Sequence, residues 1–354
     1  MRSRLGFWKY PIFVVMLLAV ITAFTLVYEL SDTVTAPHEI FDPSDSVIME
    51  TPEPEDFEEP EPTDDPEEDI EDDIEDEPED EEPRYIPPTE EFITIIMDES
   101  EIHEGYLILV NYNHEFTIPE DIDLVRITDA RTPGLRVRTE SLQLTPSIME
   151  PLNRMIDDFI SETNIRTVAI ISAFRTLEYQ QSVLDSYIAR LGRWDALRQV
   201  SRPGHSEHHT GLAFDFGIIS GGVRSTFDGT GRTAWMRRNA YKYGFILRFQ
   251  GDKTRFTRVM HEPWHFRYVG LPHSTIMFEN NWCLEEYIDK IREYTFEEPF
   301  EVEVDGAFYA IYFSEELEVP VPLNSEFEIS GNNVDGFIVT ARLLDIDTTS
   351  ELSV

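Results

Sequence analysis

The stretch of this sequence richest in chemically active side chains is Pro203–Gly217, which reads PGHSEHHTGLAFDFG. It places His208 and Asp215 seven residues apart, on either side of a Thr-Gly pair. A second cluster with the sequence HEPWH, His261–His265, follows about fifty residues later. Two imidazoles and one carboxylate would hold a metal ion and leave one tetrahedral position for water, as in catalytic rather than structural zinc sites. The sequence therefore indicates hydrolytic metal chemistry.

Two further side chains complete the parts that amide hydrolysis needs. Zinc lowers the pKa of water toward neutrality and polarises a carbonyl group. The carboxylate of Glu262 could then take the proton of the water and pass it to the leaving amine. Arg175 stands where a predicted strand meets a predicted helix, a place from which side chains commonly reach a cleft. Its cation could stabilise an oxyanion, and a plain surface arginine is the alternative.

The choice of ligands is open on residue chemistry alone, because three more histidines stand nearby: His205, His209 and His261. Asp215 alternates with the phenylalanines of LAFDF, and His265 alternates with the aromatic residues on either side of it. Both therefore lie on strands, facing away from those aromatic side chains. Pro263 cannot donate to a strand ladder, so a bend there would bring Glu262 and His265 toward one site. This argument favours His208, Asp215 and His265.

The segments around these residues predict a domain that mixes helices and strands. Apolar spacing and end signals predict helices over 146–160, Leu177–Leu191, Arg232–Tyr243 and Leu284–Tyr294. Short runs of β-forming residues predict strands at Phe92–Met97, Tyr106–Val110, Arg166–Ser172, Leu212–Phe216, Phe245–Phe249 and Trp264–Val269. The first two of these runs have the pattern of buried strands. Phe300–Thr340 is rich in Val, Ile, Phe and Tyr, and we expect a small β-rich appendage packed on the main domain.

Charge and cysteine content exclude several classes of protein. The net charge is −42, and residues 39–82 contain 25 Asp and Glu and no Lys or Arg. Nucleic acid is therefore excluded as a partner, since phosphate binding needs a basic face. The single cysteine, Cys283, excludes an intrachain disulfide and a cysteine-rich zinc site, so His, Asp or Glu must hold any metal. The acidic, proline-rich run at 29–91 predicts a disordered, extended stalk.

The N-terminus predicts a membrane anchor. Residues 1–10 are basic, and the uncharged, mostly apolar run at 11–28 is long enough for one transmembrane helix. The positive flank precedes the run, which places the N-terminus in the cytoplasm and the rest of the chain outside. A cleaved signal peptide, with cleavage after Val34-Thr35-Ala36, is the alternative, but the apolar run is long for one. We therefore predict an uncleaved anchor, the stalk, a catalytic domain at 92–298 and the β appendage at 299–354.

Three motifs together resemble those of the VanY-type D-alanyl-D-alanine carboxypeptidases. Ser206–Asp215 matches the SxHxxGxAxD motif, Glu262–His265 matches ExxH, and Ser172–Arg175 with Gln180 is similar to the SxYRS…Q segment. The likeness covers about residues 105–271. It implies a zinc peptidase with an α+β fold, in which helices flank a small antiparallel sheet that carries the site.

The resemblance also implies roles for individual residues. One zinc ion would be held by His208, Asp215 and His265, with Glu262 as general base. Arg175 would contact the scissile carbonyl or the substrate carboxylate. Three residues would line the substrate pocket: Ser206, Gln180 and Trp264. His209 and Phe174 stand where relatives often have Gln and Tyr, which leaves the substrate preference open.

These observations predict a membrane-anchored, wall-facing zinc carboxypeptidase that removes the terminal D-alanine from peptidoglycan stem peptides. An L,D-carboxypeptidase or a D,D-dipeptidase would share all four metal-site residues, so both remain alternatives. A non-catalytic wall-binding protein of the same fold is a third alternative. The intact Glu262 argues against it, because a binder needs no base beside three ligands.

Overall fold

In a computed structural model, residues 92–323 and 325–343 of the 354-residue chain are described. The predicted transmembrane helix (11–28) and acidic stalk (29–91) lie outside these residues. Within the described residues, no helix is both long enough and apolar enough to cross a bilayer.

The described chain is a mixture of helices and strands, as predicted. In chain order the strands are β1 (Phe92–Ile96), β2 (Val125–Arg126), β3 (Arg136–Val137), β4 (Gln143–Leu144), β5 (Val168–Ser172), β6 (Ala213–Ser220), β7 (Val223–Thr226), β8 (Phe245–Leu247), β9 (His265–Tyr268), β10 (Phe300–Val304), β11 (Ala307–Ser314), β12 (Glu318–Pro322), β13 (Ser325–Gly331) and β14 (Phe337–Leu343). The α-helices are Ile127–Ala130, Met149–Thr163, Leu177–Leu191, Arg193–Ala196, Ala234–Asn239, Thr254–Thr257, His273–Glu279 and Leu284–Ile291. Short 3₁₀ helices are Glu99–His103, Pro146–Ile148, Glu207–Thr210, Gly231–Thr233, Ala240–Tyr243 and Gly251–Lys253.

A six-stranded sheet carries the residues singled out above. Its order is β3-β5-β6-β9-β8, and β7 pairs with the far end of β6. Every pair in it is antiparallel except β3 with β5, which is a short parallel pair. The sheet predicted as antiparallel is therefore mixed, although its central strands β5, β6 and β9 follow the prediction.

One face of this sheet packs on the helix Met149–Thr163. Phe214 and Phe216 of β6 and Phe266 of β9 are fully buried in a core that also contains the apolar stripe of that helix. Each such side chain contributes about 1.5–3 kcal/mol when it is withdrawn from water. Residues at intervening positions point to the other face, so Asp215 and His265 face away from the core.

The connection from β5 to the next helix places Arg175. Thr176 caps the helix Leu177–Leu191, since its hydroxyl accepts a hydrogen bond from the Tyr179 amide at 3.2 Å. Gly192 follows with a φ of 80°, which stops the helix at the predicted residue. Arg175 therefore stands between the end of a strand and a helix N-cap.

The C-terminal residues form a second sheet with the order β10-β11-β14-β13, all antiparallel. Strand β12 does not belong to this sheet and pairs with β1, so the first described strand lies against a strand from the C-terminal region. Ile311 and Ile338 of this sheet share a buried cluster with the helices His273–Glu279 and Leu284–Ile291. The C-terminal region is thus rich in strands, as predicted, and packs on these two helices.

The prediction of two buried strands near the start of the domain was wrong in part. β1 is a strand, but Phe92 and Ile96 are 50% and 70% exposed. Tyr106–Val110 is mostly buried but forms no strand. Contacts outside a strand ladder satisfy its backbone instead: Arg267 Nη2 donates to the carbonyls of Tyr106 and Ile108, each at 3.0 Å, and the Leu109 amide donates to the Asn332 carbonyl at 3.0 Å. A ladder was therefore not required to bury this segment.

Candidate metal centre

Three elements bring His208, Asp215 and His265 together. The 3₁₀ helix Glu207–Thr210 carries His208, while Asp215 and His265 face each other in the register of β6 and β9. One ligand atom from each residue lies within 4.8 Å of the others, and all three residues are buried. In the described parts of the chain, no other group of three such residues converges in this way.

The turn between the 3₁₀ helix and β6 depends on Gly211. Its φ of 71° is in the left-handed region, which glycine adopts without steric cost. A Cβ atom there would stand 2.7 Å from Thr145 Oγ1 and 2.8 Å from a methyl carbon of Leu124. Glycine is therefore required both by the backbone angle and by the close approach of Thr145 and Leu124 to this turn.

Each histidine of the triad uses one ring nitrogen outside the site and directs the other toward it. His208 Nδ1 donates to the Ala173 carbonyl at 2.7 Å, and its Nε2 lies 3.2 Å from Asp215 Oδ2. His265 Nδ1 lies 2.9 Å from Asp215 Oδ1, and its Nε2 lies 3.3 Å from Glu207 Oε2. Two imidazole nitrogens and a carboxylate oxygen form a donor set that suits zinc.

Two of the three residues, His208 and Asp215, are in the protonation state that a metal ion needs, and His265 is not. Burial and then the Arg175 guanidinium lower the pKa of His208 to about 4, so its ring is neutral near pH 7. Burial acts to raise the pKa of Asp215, but the two histidines outweigh it and hold the pKa well below its usual range. Burial also acts to lower the pKa of His265, but its hydrogen bonds to Asp215 and Glu207 raise it to about 9. A metal ion bound here would therefore displace a proton from His265.

The three histidines that residue chemistry could not exclude are engaged elsewhere. His209 Nε2 accepts from the Gly204 amide at 3.1 Å, and its Nδ1 donates to the Arg175 carbonyl at 2.7 Å. His205 Nδ1 lies 2.8 Å from the Asn111 carbonyl oxygen. His261 Nδ1 lies 2.9 Å from the Phe249 carbonyl oxygen. None of the three belongs to the convergent group found in the described residues.

Glu262 stands at the turn that leads into β9. Its amide donates to the Phe249 carbonyl at 3.0 Å, and its own carbonyl accepts from the His265 amide at 3.2 Å across Pro263 and Trp264. The predicted bend at Pro263 is therefore present. Burial raises the pKa of the Glu262 carboxyl to about 8, because His265 and Arg175 oppose it only in part. Such a carboxyl can accept and return a proton near neutral pH.

Arg175 lies against the triad rather than on the open surface. Its Nη2 contacts Asp215 Oδ2 at 3.0 Å, and Ser172 Oγ accepts from Nε and Nη2 at 3.0 and 2.6 Å. Its Nη1 donates to Gln180 Oε1 at 3.2 Å. Gln180 is 1% exposed and also donates from Nε2 to the Ser201 carbonyl at 2.6 Å. Gln180 thus anchors Arg175, and a direct contact of Gln180 with substrate stays a prediction.

Ser206 and Trp264, the other predicted pocket residues, flank the ligands in the chain. Ser206 is buried at the start of the 3₁₀ helix, where its carbonyl accepts from the His209 amide at 3.0 Å. Trp264 is half-buried against the main core, and its carbonyl accepts from the Phe216 amide at 3.0 Å. Their proposed contacts with substrate stay predictions.

Sequence reasoning missed one residue at this centre, Glu207. Its side chain is buried and contacts His265 together with two arginines, Arg248 and Arg267. The period of two along β9 places His265 and Arg267 on the same face, which could have indicated a buried acidic partner for Arg267. The sequence does not show that this partner is Glu207, because Glu207 comes from a distant part of the chain.

Comparisons with known proteins agree with the motifs. The profile of the D-alanyl-D-alanine carboxypeptidase (VanY) family matches residues 141–271. A D-alanyl-D-alanine carboxypeptidase of Enterococcus faecium is 35% identical over 248 residues, which cover 68% of this chain and 77% of that protein. VanXYC of Enterococcus gallinarum, a bifunctional D-Ala-D-Ala dipeptidase and carboxypeptidase, is 32% identical over 154 residues, covering 42% of this chain and 80% of that protein.

A solved structure extends the similarity to the fold. It is the crystal structure of VanXYg, a vancomycin-resistance D,D-dipeptidase in complex with a D-Ala-D-Ala phosphinate analogue. The two chains match with a TM-score of 0.64 and 32% identity, over 71% of this chain and 99% of that one.

Proposed function

Because the chain belongs to the VanY family of D-alanyl-D-alanine carboxypeptidases, we propose that it hydrolyses the terminal D-alanine from peptidoglycan stem peptides. Membership confirms the resemblance drawn from the three motifs, and the chain is accordingly a peptide hydrolase. We further propose that one zinc ion serves the reaction.

The observation that supports this proposal best is the pairing of the triad with Glu262. His208, Asp215 and His265 offer two nitrogens and one oxygen at one point, and Glu262 adds a carboxyl with a raised pKa three residues before a ligand. A structural zinc site would be closed by a fourth protein ligand. This arrangement of three ligands and a base is that of a hydrolytic site.

A zinc ion bound by the triad supplies Lewis-acid chemistry, which polarises the scissile carbonyl and acidifies water. The residues of this chain supply the proton transfers and the orientation. Glu262 takes the proton of the attacking water and delivers it to the nitrogen of the leaving D-alanine. The raised pKa of Glu262 suits the donation of a proton to the leaving nitrogen, and the positive charge of a bound zinc ion would favour the ionised form that accepts the proton of water.

Arg175 provides a positive charge beside the reacting groups. Its guanidinium is held by Ser172, Gln180 and Asp215, so its orientation is set before substrate binds. We propose that it stabilises the negative charge that develops on the carbonyl oxygen, or binds the substrate carboxylate. Ser206 and Trp264 would contact the peptide beside it.

A second candidate is a D,D-dipeptidase. The solved D,D-dipeptidase VanXYg matches this chain over 99% of its own length, which supports this alternative substrate. A dipeptidase acts on free D-Ala-D-Ala, whereas a carboxypeptidase acts on the end of a stem peptide. The four residues of the metal site serve both reactions.

A substrate panel separates these functions. The purified full chain, supplied with zinc, is incubated with a pentapeptide stem, a tetrapeptide stem and free D-Ala-D-Ala, and the released amino acids are measured. Release of D-alanine from the pentapeptide is expected. Cleavage of the dipeptide alone would favour the D,D-dipeptidase, and cleavage of the tetrapeptide alone would favour an L,D-carboxypeptidase. If no substrate is cleaved, the enzyme proposal fails and a wall-binding role gains support.

We also propose that the enzyme works outside the cell, attached by one N-terminal helix at the membrane. The support is in the sequence: a basic start, an apolar run at 11–28 and an acidic run that would extend the domain toward the wall. Protease added to intact cells should remove the catalytic domain, while an unchanged chain in intact cells would contradict this location.

A further inference from the structure

We propose that Glu207 is a positioning residue that holds the Nε2 proton of His265, so that Nδ1 is presented to the metal, and that a buried Arg248–Glu285 pair keeps Glu207 in place. This inference rests on the proposed metal site. It assigns a role to a glutamate inside the ligand motif and to a helix beyond the residues that match the family.

The contacts of His265 carry the first step. An imidazole ring can offer either nitrogen to a metal, and the hydrogen bond made by the other nitrogen decides which one. His265 Nε2 lies 3.3 Å from Glu207 Oε2, while Nδ1 points toward Asp215. An ionised carboxylate only accepts hydrogen bonds. Both ring nitrogens face an ionised carboxylate, so each carries a proton while no metal is bound. Asp215 is itself a candidate ligand, so a metal held there would replace the proton on Nδ1, and the proton that faces Glu207 would stay on Nε2.

The second step is the way Glu207 itself is held. Its Oε1 accepts from Arg248 Nε at 2.7 Å and from Arg267 Nη1 at 3.1 Å. Arg248 and Arg267 are 0% exposed and Glu207 is 3% exposed, so water cannot replace these partners. With Oε1 committed to the arginines, Oε2 is the oxygen directed at His265. The two arginines therefore determine the direction of the carboxylate.

The third step connects this carboxylate to the helix Leu284–Ile291. Arg248 donates from Nη1 to Glu285 Oε2 at 2.8 Å and from Nη2 to Glu285 Oε1 at 2.7 Å, a bidentate pair. Asn111 Nδ2 adds a hydrogen bond to Glu285 Oε1 at 3.0 Å. Glu285 lies outside the matched residues 141–271. The helix that carries it thus acts on the metal site through Arg248 and Glu207.

The competing explanation is that the ion pairs around Glu207 only stabilise the fold. The variant Glu207→Gln separates this explanation from a positioning role toward His265. The glutamine oxygen would remain on the arginines, because they need an acceptor. Its NH₂ group would then face His265 Nε2 and donate to it. That reversal would move the ring proton to Nδ1 and remove the lone pair that the metal needs. Loss of an outer partner of this kind lowers metal affinity by about 10- to 100-fold.

The experiment measures zinc affinity of the full chain by competition with a chromophoric chelator, for wild type, Glu207→Gln, Glu285→Gln and Glu286→Gln. Glu286 is the matched control: it adjoins Glu285 on the same helix and pairs with Lys253 at 2.9 Å, outside the network. Thermal unfolding of each variant reports stability alone. ¹⁵N NMR of the imidazole nitrogens in the zinc-loaded proteins reports which nitrogen of His265 carries the proton.

We expect Glu207→Gln to lose about 10- to 100-fold in zinc affinity and to show a changed protonation pattern at His265. Glu285→Gln should show a smaller loss of zinc affinity, and Glu286→Gln should show none. This difference in zinc affinity should persist even if Glu285→Gln and Glu286→Gln unfold at similar temperatures. Zinc affinity and nitrogen signals of Glu207→Gln like those of wild type would overturn the proposal. If Glu207→Gln does not fold, equal affinities for Glu285→Gln and Glu286→Gln would overturn it.

These readouts do not depend on catalysis. Should wild-type chain bind zinc through Nδ1 of His265 without cleaving any peptide, the proposed function would fail while this inference would stand. Should it cleave peptides while Glu207→Gln binds zinc normally, the inference alone would fail.

Discussion

Asp215 and His265 are directly opposite each other on the antiparallel strands β6 and β9, with Oδ1 of the carboxylate 2.9 Å from Nδ1 of the imidazole. Strand pairing therefore places two of the three candidate ligands. A slip of one residue in this register would turn one of them into the phenylalanine core. The burial of Phe214 and Phe266 on the other face thus holds the metal site together.

Removal of metal should abolish hydrolysis. We expect a chelator to stop D-alanine release from a pentapeptide stem and added zinc to restore it, because the polarising cation and its acidified water are lost. A β-lactam should leave the activity unchanged, since it acylates a nucleophilic serine that this mechanism does not use. Activity that survives complete chelation, or acylation by a labelled penicillin, would contradict the mechanism.

Replacement of the base should separate catalysis from metal binding. Glu262→Gln retains the shape of the side chain but cannot take a proton, so kcat should fall by about 10²–10⁴-fold. Zinc affinity should stay close to that of wild type, as Glu262 is not one of the three ligands. Glu279→Gln, at an exposed helical position, is the control and should retain full activity. A fully active Glu262→Gln would remove Glu262 from the mechanism.

Catalysis should depend on the planar, forked geometry of the Arg175 guanidinium and not only on its charge. Lysine cannot reach Ser172, Gln180 and Asp215 together, so Arg175→Lys should lower kcat/KM by about 100-fold or more. Steady-state kinetics on the pentapeptide stem measure this. Arg237→Lys, an exposed exchange of the same kind, should have no effect. Equal kinetics for the two variants would show that Arg175 acts as a surface charge alone.

The glycine between the ligands should tolerate no side chain. Gly211→Ala and Gly221→Ala both place alanine at positive φ, which costs about 1–2 kcal/mol in the free energy of unfolding. A Cβ at Gly221 meets nothing within 4 Å, whereas at Gly211 it meets Thr145 and Leu124 below 3.0 Å. Urea unfolding should therefore show a larger loss for Gly211→Ala, together with weaker zinc binding. Equal losses without a change in zinc affinity would contradict this.

The Arg248–Glu285 pair should contribute to acid sensitivity. Burial acts to raise the pKa of Glu285, but Arg248 and its hydrogen bonds outweigh it, so the folded-state pKa is lowered. The stabilisation is present above the unfolded-state pKa of about 4.3 and is lost as the pH falls through the folded-state value. Denaturant unfolding across the acid range should show a steeper loss for wild type than for Glu285→Gln. Parallel curves would contradict the prediction.

Local patterns predicted a large part of this fold. The helix Leu177–Leu191 has the predicted bounds because its N-cap threonine and terminal glycine are adjacent in the chain. The faces of Asp215 and His265 followed from period-two alternation, which depends only on strand geometry. The prediction of a strand at Tyr106–Val110 was wrong because a local pattern reports burial and not hydrogen-bond partners. The apolar residues of this run are buried, but Arg267, far away in sequence, takes the place of a neighbouring strand by donating to two of its carbonyls.

The sequence by itself determined the family, the ligand types and the strand faces, because motifs and periodicity are properties of neighbouring residues. The motif pointed to His208, and the tertiary structure supplied the physical difference from His209: Nε2 of His208 lies 3.2 Å from Asp215, whereas Nε2 of His209 accepts from the Gly204 amide. The tertiary structure also decided the role of Glu207, which depends on Arg248 and His265 meeting it from about 40 and 60 residues away. Contacts of that separation are set by the packing of the sheet, and no local pattern encodes them.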